Sequence, residues 1–504
     1  MTKYRFAPGA RFIMGFALAV GMLLFPRPSS GQIVGPLPPI KQPPNIVPLT
    51  SAEQLGKDIV FDITLSDPPG YACFTCHTPE TGNASPGLPD GSEVNQFFGI
   101  PSGVVPGRAT NRKPMTYAMT AFSPIGPTFN ATAGVYLGGT FWDGRTPDEP
   151  HQATQPFIDA NEMANLSSNG IQDPLAGGYS ALVVKKVQSR PYTKLFKKVY
   201  GPDVFTKYTT PQIYTIITDA IGAYEASAEI NPFNSKYDAS KFGVPPQKLY
   251  TLSASEERGR ILYGVGGNPN NNPNYGNAQC FQCHSSQTLL EVQAETDGKE
   301  TFTMFCFANI GVPKNPNNPY YENTDAVANP FGYNPLGANY IDYGLGANPN
   351  PAPDGTVFNN PATNSQFLGL FKAPSVRNSD KRPNPKFVRA YMHNGVFKSL
   401  EEVVNFYNKR NIAVNAAGQE VAFDLRTGPP SGYNPLLPPP EVLDNVQNVA
   451  GLTPAQAAAE GVSGTVATNG QVGNLQLTPS QTTDLINFLK VLTDGYTKPM
   501  PVTP

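Results

Sequence analysis

The 504-residue chain is poor in the residues that carry redox and metal chemistry. It has five cysteines, four histidines and one tryptophan. Lysine and arginine total 36 against 38 aspartates and glutamates, so no basic excess points to nucleic acid as a partner. No internal run is long and apolar enough to predict a membrane-spanning helix. Proline (54) and glycine (47) are abundant, which predicts many loops around a packed core.

Most of the scarce residues fall in two copies of one pattern, Cys73-Phe-Thr-Cys76-His77 and Cys280-Phe-Gln-Cys283-His284. Cys-x-x-Cys-His is the attachment signature of c-type haem: the thiols bond to the macrocycle and the histidine supplies an axial nitrogen to iron. A zinc site would need a second Cys/His pair near each pentad, and none is present. The sequence therefore predicts two covalently bound haems c, with His77 and His284 as iron ligands.

The fifth cysteine, Cys306, stands in the apolar segment Met304–Phe307. A lone cysteine in an exported protein can be a reactive thiol or can pair with another chain. The apolar setting favours a small buried hydrophobe instead.

The N-terminus has the composition of an export signal. Three basic residues precede an apolar run at 12–25, and small residues follow it. The run is short for a membrane span and is closed by prolines, which favours a cleaved signal peptide over an anchor helix. Residues 1–31 are assigned to the signal peptide and the proline-rich residues 32–48 to an extended tether. A periplasmic or otherwise exported location agrees with covalent haem attachment.

One pattern is repeated ahead of each pentad. Thr50 stands three residues before Glu53, and Ser253 three residues before Glu256, which predicts a capping box at the start of a helix in both copies. Each predicted helix leads into a pentad about twenty residues after its glycine. We interpret this as an internal duplication at the level of a haem-binding domain.

The duplication predicts a mainly α fold with two cytochrome c-like haem domains in tandem and long irregular insertions. The domains are assigned to 49–235 and 236–425, and 426–504 to an insertion and a closing C-terminal helix. Apolar spacing predicts helices at 213–230 and 400–408 and after Leu477. The segment 311–364 is predicted to be a structured excursion of turns, and 412–475 an insertion with little periodicity.

Further motifs stand between and after the pentads. Phe141-Trp142-Asp143-Gly144-Arg145 holds the only tryptophan, and Gln152 and Glu162 follow Trp142 at intervals of ten residues. Later segments are Phe371–Asn378, Tyr391–Gly395 and Ser399–Glu402. In this order, the motifs resemble the bacterial di-haem cytochrome c peroxidases and their protein-oxidising MauG branch. The resemblance covers roughly residues 50–235, 250–310, 365–410 and 477–495.

The resemblance implies that peroxide reacts at the N-terminal haem, in a pocket formed by Gln152, Pro156 and Glu162. A carboxyl group above iron can take a proton from the near oxygen of peroxide and give one to the leaving oxygen, so Glu162 is the predicted acid-base catalyst. Gln152 is predicted to orient the oxygens, and Pro156 to wall the distal face. Without the resemblance, Glu162 would be interpreted as an exposed carboxylate at a helix start.

Two aromatic residues have implied roles at or near the second haem. Trp142 matches a tryptophan that lies between the haems and helps electrons or holes cross, although a single tryptophan is also typical of a core. Tyr407 stands fourteen residues after His393, where the peroxidases carry a methionine and MauG a tyrosine as distal iron ligand. Tyrosinate is a hard donor that favours ferric iron. The alternative is that Tyr407 is a core residue of its helix. His393 is not expected to bind iron.

No histidine occurs at 78–150. Family members often block the first haem with a histidine from this stretch, so the first haem is predicted to have an open distal face, with Met115 or Met119 as less favoured ligands. The resemblance also implies a calcium ion between the domains. Asn111 is the nearest candidate ligand, although its spacing is off by one residue.

Three functions follow. The first is an enzyme, an exported peroxidase that reduces hydrogen peroxide with electrons from a redox donor protein relayed through the second haem. The second is a MauG-like enzyme that uses peroxide to oxidise a residue of a partner protein, which Tyr407 and the open first haem favour. The third is a di-haem electron carrier, which needs both irons six-coordinate. The sequence specifies neither the donor or target protein nor whether the tether contacts a membrane.

Overall fold

The computed structural model describes residues 48–84, 99–131, 133–166, 178–242, 250–265, 272–284, 299–448 and 470–495. All of them lie within one unit of the chain, Pro39–Pro504. The predicted signal peptide at 1–31 and nearly all of the predicted tether at 32–48 lie outside the described residues. Within those ranges, no helix combines the length and hydropathy needed to cross a membrane.

Regular structure is mainly helical, as predicted. The helices in the described ranges are α1 (Ser51–Val60), α2 (Cys73–Cys76), α3 (Glu149–Ile158), α4 (Ala181–Gln188), α5 (Thr193–Tyr200), α6 (Val204–Lys207), α7 (Thr210–Glu225), α8 (Lys236–Phe242), α9 (Ala254–Tyr263), α10 (Leu400–Lys409) and α11 (Pro479–Val491). The three longer helices predicted from apolar spacing correspond to α7, α10 and α11.

The strands are short and antiparallel. They are β1 (Thr128–Asn130), β2 (Val135–Leu137), β3 (Phe307–Ala308), β4 (Phe371–Lys372), β5 (Ile412–Asn415), β6 (Glu420–Ala422) and β7 (Tyr433–Pro435). β1 pairs with β2, β3 pairs with β4, and β5 is the centre of a three-stranded sheet in the order β6-β5-β7. The last sheet lies in the 412–475 insertion, where the sequence showed little periodicity.

Both predicted capping boxes are present. Thr50 accepts a hydrogen bond from the Glu53 amide at the start of α1, and Ser253 accepts one from the Glu256 amide at the start of α9. Each glutamate in turn accepts from the backbone N–H of the capping residue. The repeat seen in the sequence is therefore a repeat of helix starts.

A glycine lies at the closest approach of each of two helix pairs. α1 packs against α7, and α9 packs against α11. A Cβ atom on Gly56 would lie 1.8 Å from the carbonyl oxygen of Ala220, and one on Gly259 would lie 2.0 Å from the carbonyl oxygen of Asp484. Only glycine permits such contacts between helix backbones, so the duplication extends from helix starts to helix crossings. The domain boundaries at 49–235 and 236–425 stay a prediction.

The 311–364 segment has its own hydrophobic core, as expected for a structured excursion. Phe307, Leu345, Phe358 and Phe367 are buried together, and Tyr136 of β2 packs against them edge-on. The segment therefore packs against the hairpin that precedes the tryptophan motif. Cys306 is also buried, as predicted, and lies in an apolar cluster beside Cys283.

Candidate redox site

The first pentad lies at a cavity with an empty volume of ≈ 1220 Å³, including space open to solvent. Its lining contains the residues predicted for the N-terminal haem: Cys73, Cys76, His77, Gln152, Pro156 and Glu162. Trp142, predicted to lie between the haems, and Asn111, the candidate calcium ligand, line it as well. These residues come from segments almost ninety positions apart, and the fold brings all of them to one space.

Backbone carbonyls orient the histidine of each pentad. His77 Nδ1 lies 2.9 Å from the carbonyl oxygen of Asn83, and His284 Nδ1 lies 2.9 Å from that of Pro374. Because a carbonyl only accepts, Nδ1 carries the proton, which assigns Nε2 to the metal. Burial lowers the pKa of both imidazoles to about 4, so both are neutral, as ligation requires.

The second pentad lies at a larger cavity with an empty volume of ≈ 1800 Å³, again including open space. Tyr407 and His393 line it together with Cys280, Cys283 and His284. Pro374, which orients His284, belongs to the Phe371–Asn378 motif singled out in the sequence. With two thiols and an oriented imidazole at each cavity, the residues fit two c-type haems.

Helix α3 positions the predicted catalytic groups of the first cavity. Asp148 caps the helix by accepting from the His151 amide, and Gln152 and Pro156 follow four residues apart on one face. The chain then turns, and the Glu162 carbonyl accepts from Val104 N–H, which fixes the backbone of Glu162. His151 points to the surface beside Asp148.

The pKa of the Glu162 carboxyl group lies well above its usual range. Burial and then the charge of Asp159 raise the pKa of Glu162 to about 8, and Arg145 opposes this shift. A carboxyl group with a pKa near neutrality exchanges protons readily in either direction. Arg145 is held by Asp143 and Gln155, with its guanidinium stacked over Phe141.

Trp142 lines both cavities. Its Nε1–H donates to the Lys113 carbonyl at 2.8 Å, and its own carbonyl accepts from Lys372 N–H at 2.9 Å. The ring meets His393 edge-on with centroids 6.4 Å apart, and His393 stacks on Phe371 at 3.6 Å. Trp142 is also buried, so both sequence interpretations of this residue agree with its position.

Tyr407 faces the second cavity from α10. Ser399 caps this helix by accepting from the Glu402 amide. Burial raises the pKa of Tyr407 above its usual range, and the positive charge of the buried Arg410 opposes that shift. The position suits a distal ligand and suits a core residue equally, so ligation stays a prediction.

The remaining predicted ligands are placed as follows. Met115 lines both cavities, whereas Met119 is fully buried and lines neither. Asn111 donates from Nδ2 to Tyr340, and its carbonyl accepts from Asn318. Among the described residues, no group of three His, Cys, Asp or Glu is arranged to hold a metal ion. Calcium binding at Asn111 stays a prediction.

Two buried carboxyl groups of the first cavity were missed by sequence reasoning. Glu149 and Glu225 both line it, and each has one oxygen without a hydrogen-bond partner in the structure. Burial raises the pKa of Glu149 to about 7 and that of Glu225 well above its usual range. Glu225 could have been noticed in the sequence, because it is a charged residue on the apolar stripe of α7. Glutamate is almost never fully buried unless it is paired.

The two insertions meet beside the aromatic groups between the cavities. Arg112 makes buried ion pairs with Asp342 of the 311–364 segment, at 2.6 Å, and with Asp143 of the tryptophan motif, at 2.7 Å. Glu441 of the C-terminal insertion lies 4.0 Å from His393 Nε2 and accepts from Asp342 N–H. No local sequence pattern predicts these contacts.

Comparisons with known proteins agree with this geometry. Residues 50–243 match the family described as di-haem cytochrome c peroxidase. The chain is 28% identical to methylamine utilization protein MauG of Paracoccus denitrificans (strain Pd 1222) over 448 residues, which is 88% of this chain and 89% of that protein. It is 24% identical to cytochrome-c peroxidase IdrP1 of Pseudomonas sp. (strain SCT) over 390 residues, 75% of this chain and 76% of that one.

A solved structure is also similar. A tyrosine-to-methionine variant of the diheme peroxidase BthA from Burkholderia thailandensis E264 aligns with a TM-score of 0.57 and 25% identity. The alignment covers 89% of this chain and 87% of that chain.

Proposed function

Because the chain belongs to the di-haem cytochrome c peroxidase/MauG family and is an oxidoreductase acting on peroxide, we propose that it reduces hydrogen peroxide at the haem held by His77. In this proposal the haem held by His284 accepts electrons from a donor protein and passes them on through Trp142. The observation that carries the proposal is the position of Trp142 in the walls of both cavities, together with the grouping of Glu162, Gln152 and Pro156 in only the first.

The haem, when bound, supplies the iron that binds peroxide and the electrons that cleave its O–O bond. Glu162 would take a proton from one oxygen of peroxide and return it to the other, which leaves as water. The overall reaction consumes one hydrogen peroxide, two electrons and two protons and yields two waters. Gln152 donates from its amide to orient peroxide beside Glu162, and Pro156 limits the room for other ligands. Arg145 holds a positive charge near the carboxylate that Glu162 forms.

The test uses the ferric holoenzyme with two haems per chain. Its absorption spectrum is recorded before and after addition of hydrogen peroxide. We expect the ferric spectrum to contain a high-spin component. Peroxide should convert it to a new spectrum, and a reduced small donor protein should then restore the original spectrum with turnover. A purely low-spin spectrum that peroxide leaves unchanged would refute an enzymatic role and favour the electron carrier.

Tyr407 favours a second function, the oxidation of a residue on a partner protein. Its place at the second cavity suits a ligand that holds that iron ferric and stores an oxidising equivalent. Slow turnover with small donors, combined with a long-lived peroxide-generated spectrum, would favour this function over peroxide removal. Fast turnover would exclude it. Tyr407→Met is expected to move the balance toward peroxide removal because a thioether favours ferrous iron.

We also propose that the chain works outside the cytoplasm, with residues 1–31 removed. The composition of this segment and the need for covalent haem attachment support the proposal. N-terminal sequencing of the secreted holoenzyme tests it, since an uncleaved Met1 would contradict the assignment.

A further inference from the structure

One corner of the second cavity is built from donors for which the described residues supply no acidic partner. We call Lys113, Ser379 and Arg389 the cationic corner; all three line this cavity, and Lys113 lines the first cavity as well. The corner therefore lies where the two cavities come together.

Arg389 is almost fully buried, with 4% of its surface exposed. Its Nη1 donates to the carbonyls of Thr81, Asn378 and Lys381, which fixes the guanidinium plane. Its Nε has no hydrogen-bond partner in the structure. Within the described ranges no carboxylate forms an ion pair with it. Asp380, which is near in sequence, pairs with Arg382 instead.

Lys113, like Arg389, is buried and has no acidic partner among the described residues. Its Nζ donates to the carbonyls of Ala84 and Pro114 at 2.6 and 2.8 Å. Burial, and then the positive charges of Arg389 and Lys398, hold the pKa of Lys113 well below its usual range, so a bound anion would be needed to keep this ammonium group charged. Ser379 Oγ, which lines the same cavity, has no hydrogen-bond partner among the described residues. Burying like charges without an anion destabilises the fold, because each charge loses its hydration and repels the other. The corner is thus complete only with an anion that this part of the chain does not supply.

We propose that the cationic corner binds a propionate carboxylate of the haem attached through Cys280 and Cys283. This haem brings two carboxylates into the cavity that these side chains line. A carboxylate has the acceptor sites that Arg389 Nε, Ser379 Oγ and Lys113 Nζ require, and charge-assisted bonds of this kind are the strong ones. The inference rests on the haem content of the proposed function, but not on peroxide chemistry.

The corner also affects the electron affinity of this haem. Positive charge held close to the macrocycle stabilises the reduced iron more than the oxidised iron. Arg389 and Lys113 should therefore raise the midpoint potential of the haem held by His284. Because Lys113 reaches both cavities, a smaller effect is expected at the haem held by His77.

The experiment compares holoenzymes by spectroelectrochemistry after the haem content has been measured by pyridine haemochrome. We expect Arg389→Gln to keep two haems per chain and to shift the midpoint potential of the second haem to a clearly lower value. Arg389→Lys should recover part of the shift. Ser379→Ala, which removes only one donor, should give a smaller shift in the same direction and a change in the propionate bending mode in resonance Raman spectra.

Arg382→Gln is the matched control, since it removes an arginine from the same loop that is already paired with Asp380, and its potentials should equal those of the wild type. Unchanged potentials and propionate mode in Ser379→Ala would overturn the proposal even if Arg389→Gln fails to fold. A wild-type potential that varies with chloride at constant ionic strength would also overturn it, because the corner would then hold a diffusible anion. Fewer than two haems in the wild type would instead refute the proposed cofactor content.

Discussion

The protonation state of Glu162 depends strongly on the residues around it. With a pKa of about 8, it is protonated at neutral pH and becomes a base only as the pH rises. We expect the second-order rate constant for the peroxide reaction to rise with pH up to about 8 and then level off. Glu162→Gln should lower that constant by roughly 10²–10⁴-fold and remove the pH dependence. Stopped-flow absorbance measures both.

Asp159 allows the predicted pH dependence to be tested at a second residue. Its charge helps to raise the pKa of Glu162, so Asp159→Asn should move the rise in rate to lower pH while the plateau changes little. Glu257→Gln, a substitution at an exposed glutamate of α9, should leave the profile unchanged. A wild-type rate constant and pH profile in Glu162→Gln would exclude the acid-base role.

Trp142 is predicted to carry electrons between the haems. Trp142→Phe keeps most of the packing but loses the readily oxidised indole and its bond to Lys113. We expect turnover with a reduced donor protein to fall at least about tenfold, which is 1.4 kcal/mol in the barrier. The first spectral change with peroxide should stay near its wild-type rate. Tyr136→Phe, at an aromatic cluster that lines neither cavity, is the control, and equal turnover in both variants would contradict the relay.

At the level of elements, Gly56 lets α1 pack closely against α7, and Gly259 lets α9 pack closely against α11. Gly259→Ala places a methyl group against the α11 backbone at Asp484, so α9 and α11 must separate. Overpacking of this kind costs about 3 kcal/mol, of which the higher helix propensity of alanine returns about 1 kcal/mol. Denaturant unfolding of the holoenzyme should therefore show a loss of about 2 kcal/mol.

Gly56→Ala should behave in the same way, because the α1–α7 contact is equally close. The substitution Glu401→Ala, at an exposed glutamate of α10, should change the free energy of unfolding by no more than about 0.5 kcal/mol. If Gly259→Ala were as stable as this control, the direct backbone contact between the helices would be refuted.

At the level of the whole molecule, Arg112 fastens the 311–364 insertion to the tryptophan motif. Burial alone would raise the pKa of Asp342, but the charge and hydrogen bonds of Arg112 lower it to about 2. A depressed carboxyl pKa stabilises the fold fully above the unfolded value, near 4, and the contribution is lost as the pH falls toward 2. Asp342→Asn leaves Arg112 with one fewer buried anion and should cost about 3 kcal/mol at pH 7.

The pH dependence tests the mechanism of that loss. The stability difference between the wild type and Asp342→Asn should be constant above pH 4 and should narrow between pH 4 and pH 2, as followed by thermal unfolding. Asp354→Asn, at an exposed position of the same insertion, should show no such difference. A gap that persists unchanged at pH 2 would show that the ion pair is not its source.

The sequence alone determined the chemistry of this protein and the local structure that carries it. Attachment motifs, capping boxes and helical spacing are short-range signals, since each depends on residues within a few turns of one another. This is why the pentads, the α1 and α9 starts and helices α7, α10 and α11 could be predicted. The strands of the 412–475 insertion could not, because β5 to β7 hold one another through pairing and have no strong pattern of their own.

Only the tertiary structure decided which side chains share a space. Glu149, Glu225, Lys113 and Arg389 are ordinary charged residues in the sequence, and burial at the cavities is what makes them matter. The meeting of Asp342 and Glu441 beside His393 joins segments about a hundred residues apart. Burial, charge pairing and the approach of two cavities to one tryptophan are long-range consequences of packing, so they are not encoded in any local pattern.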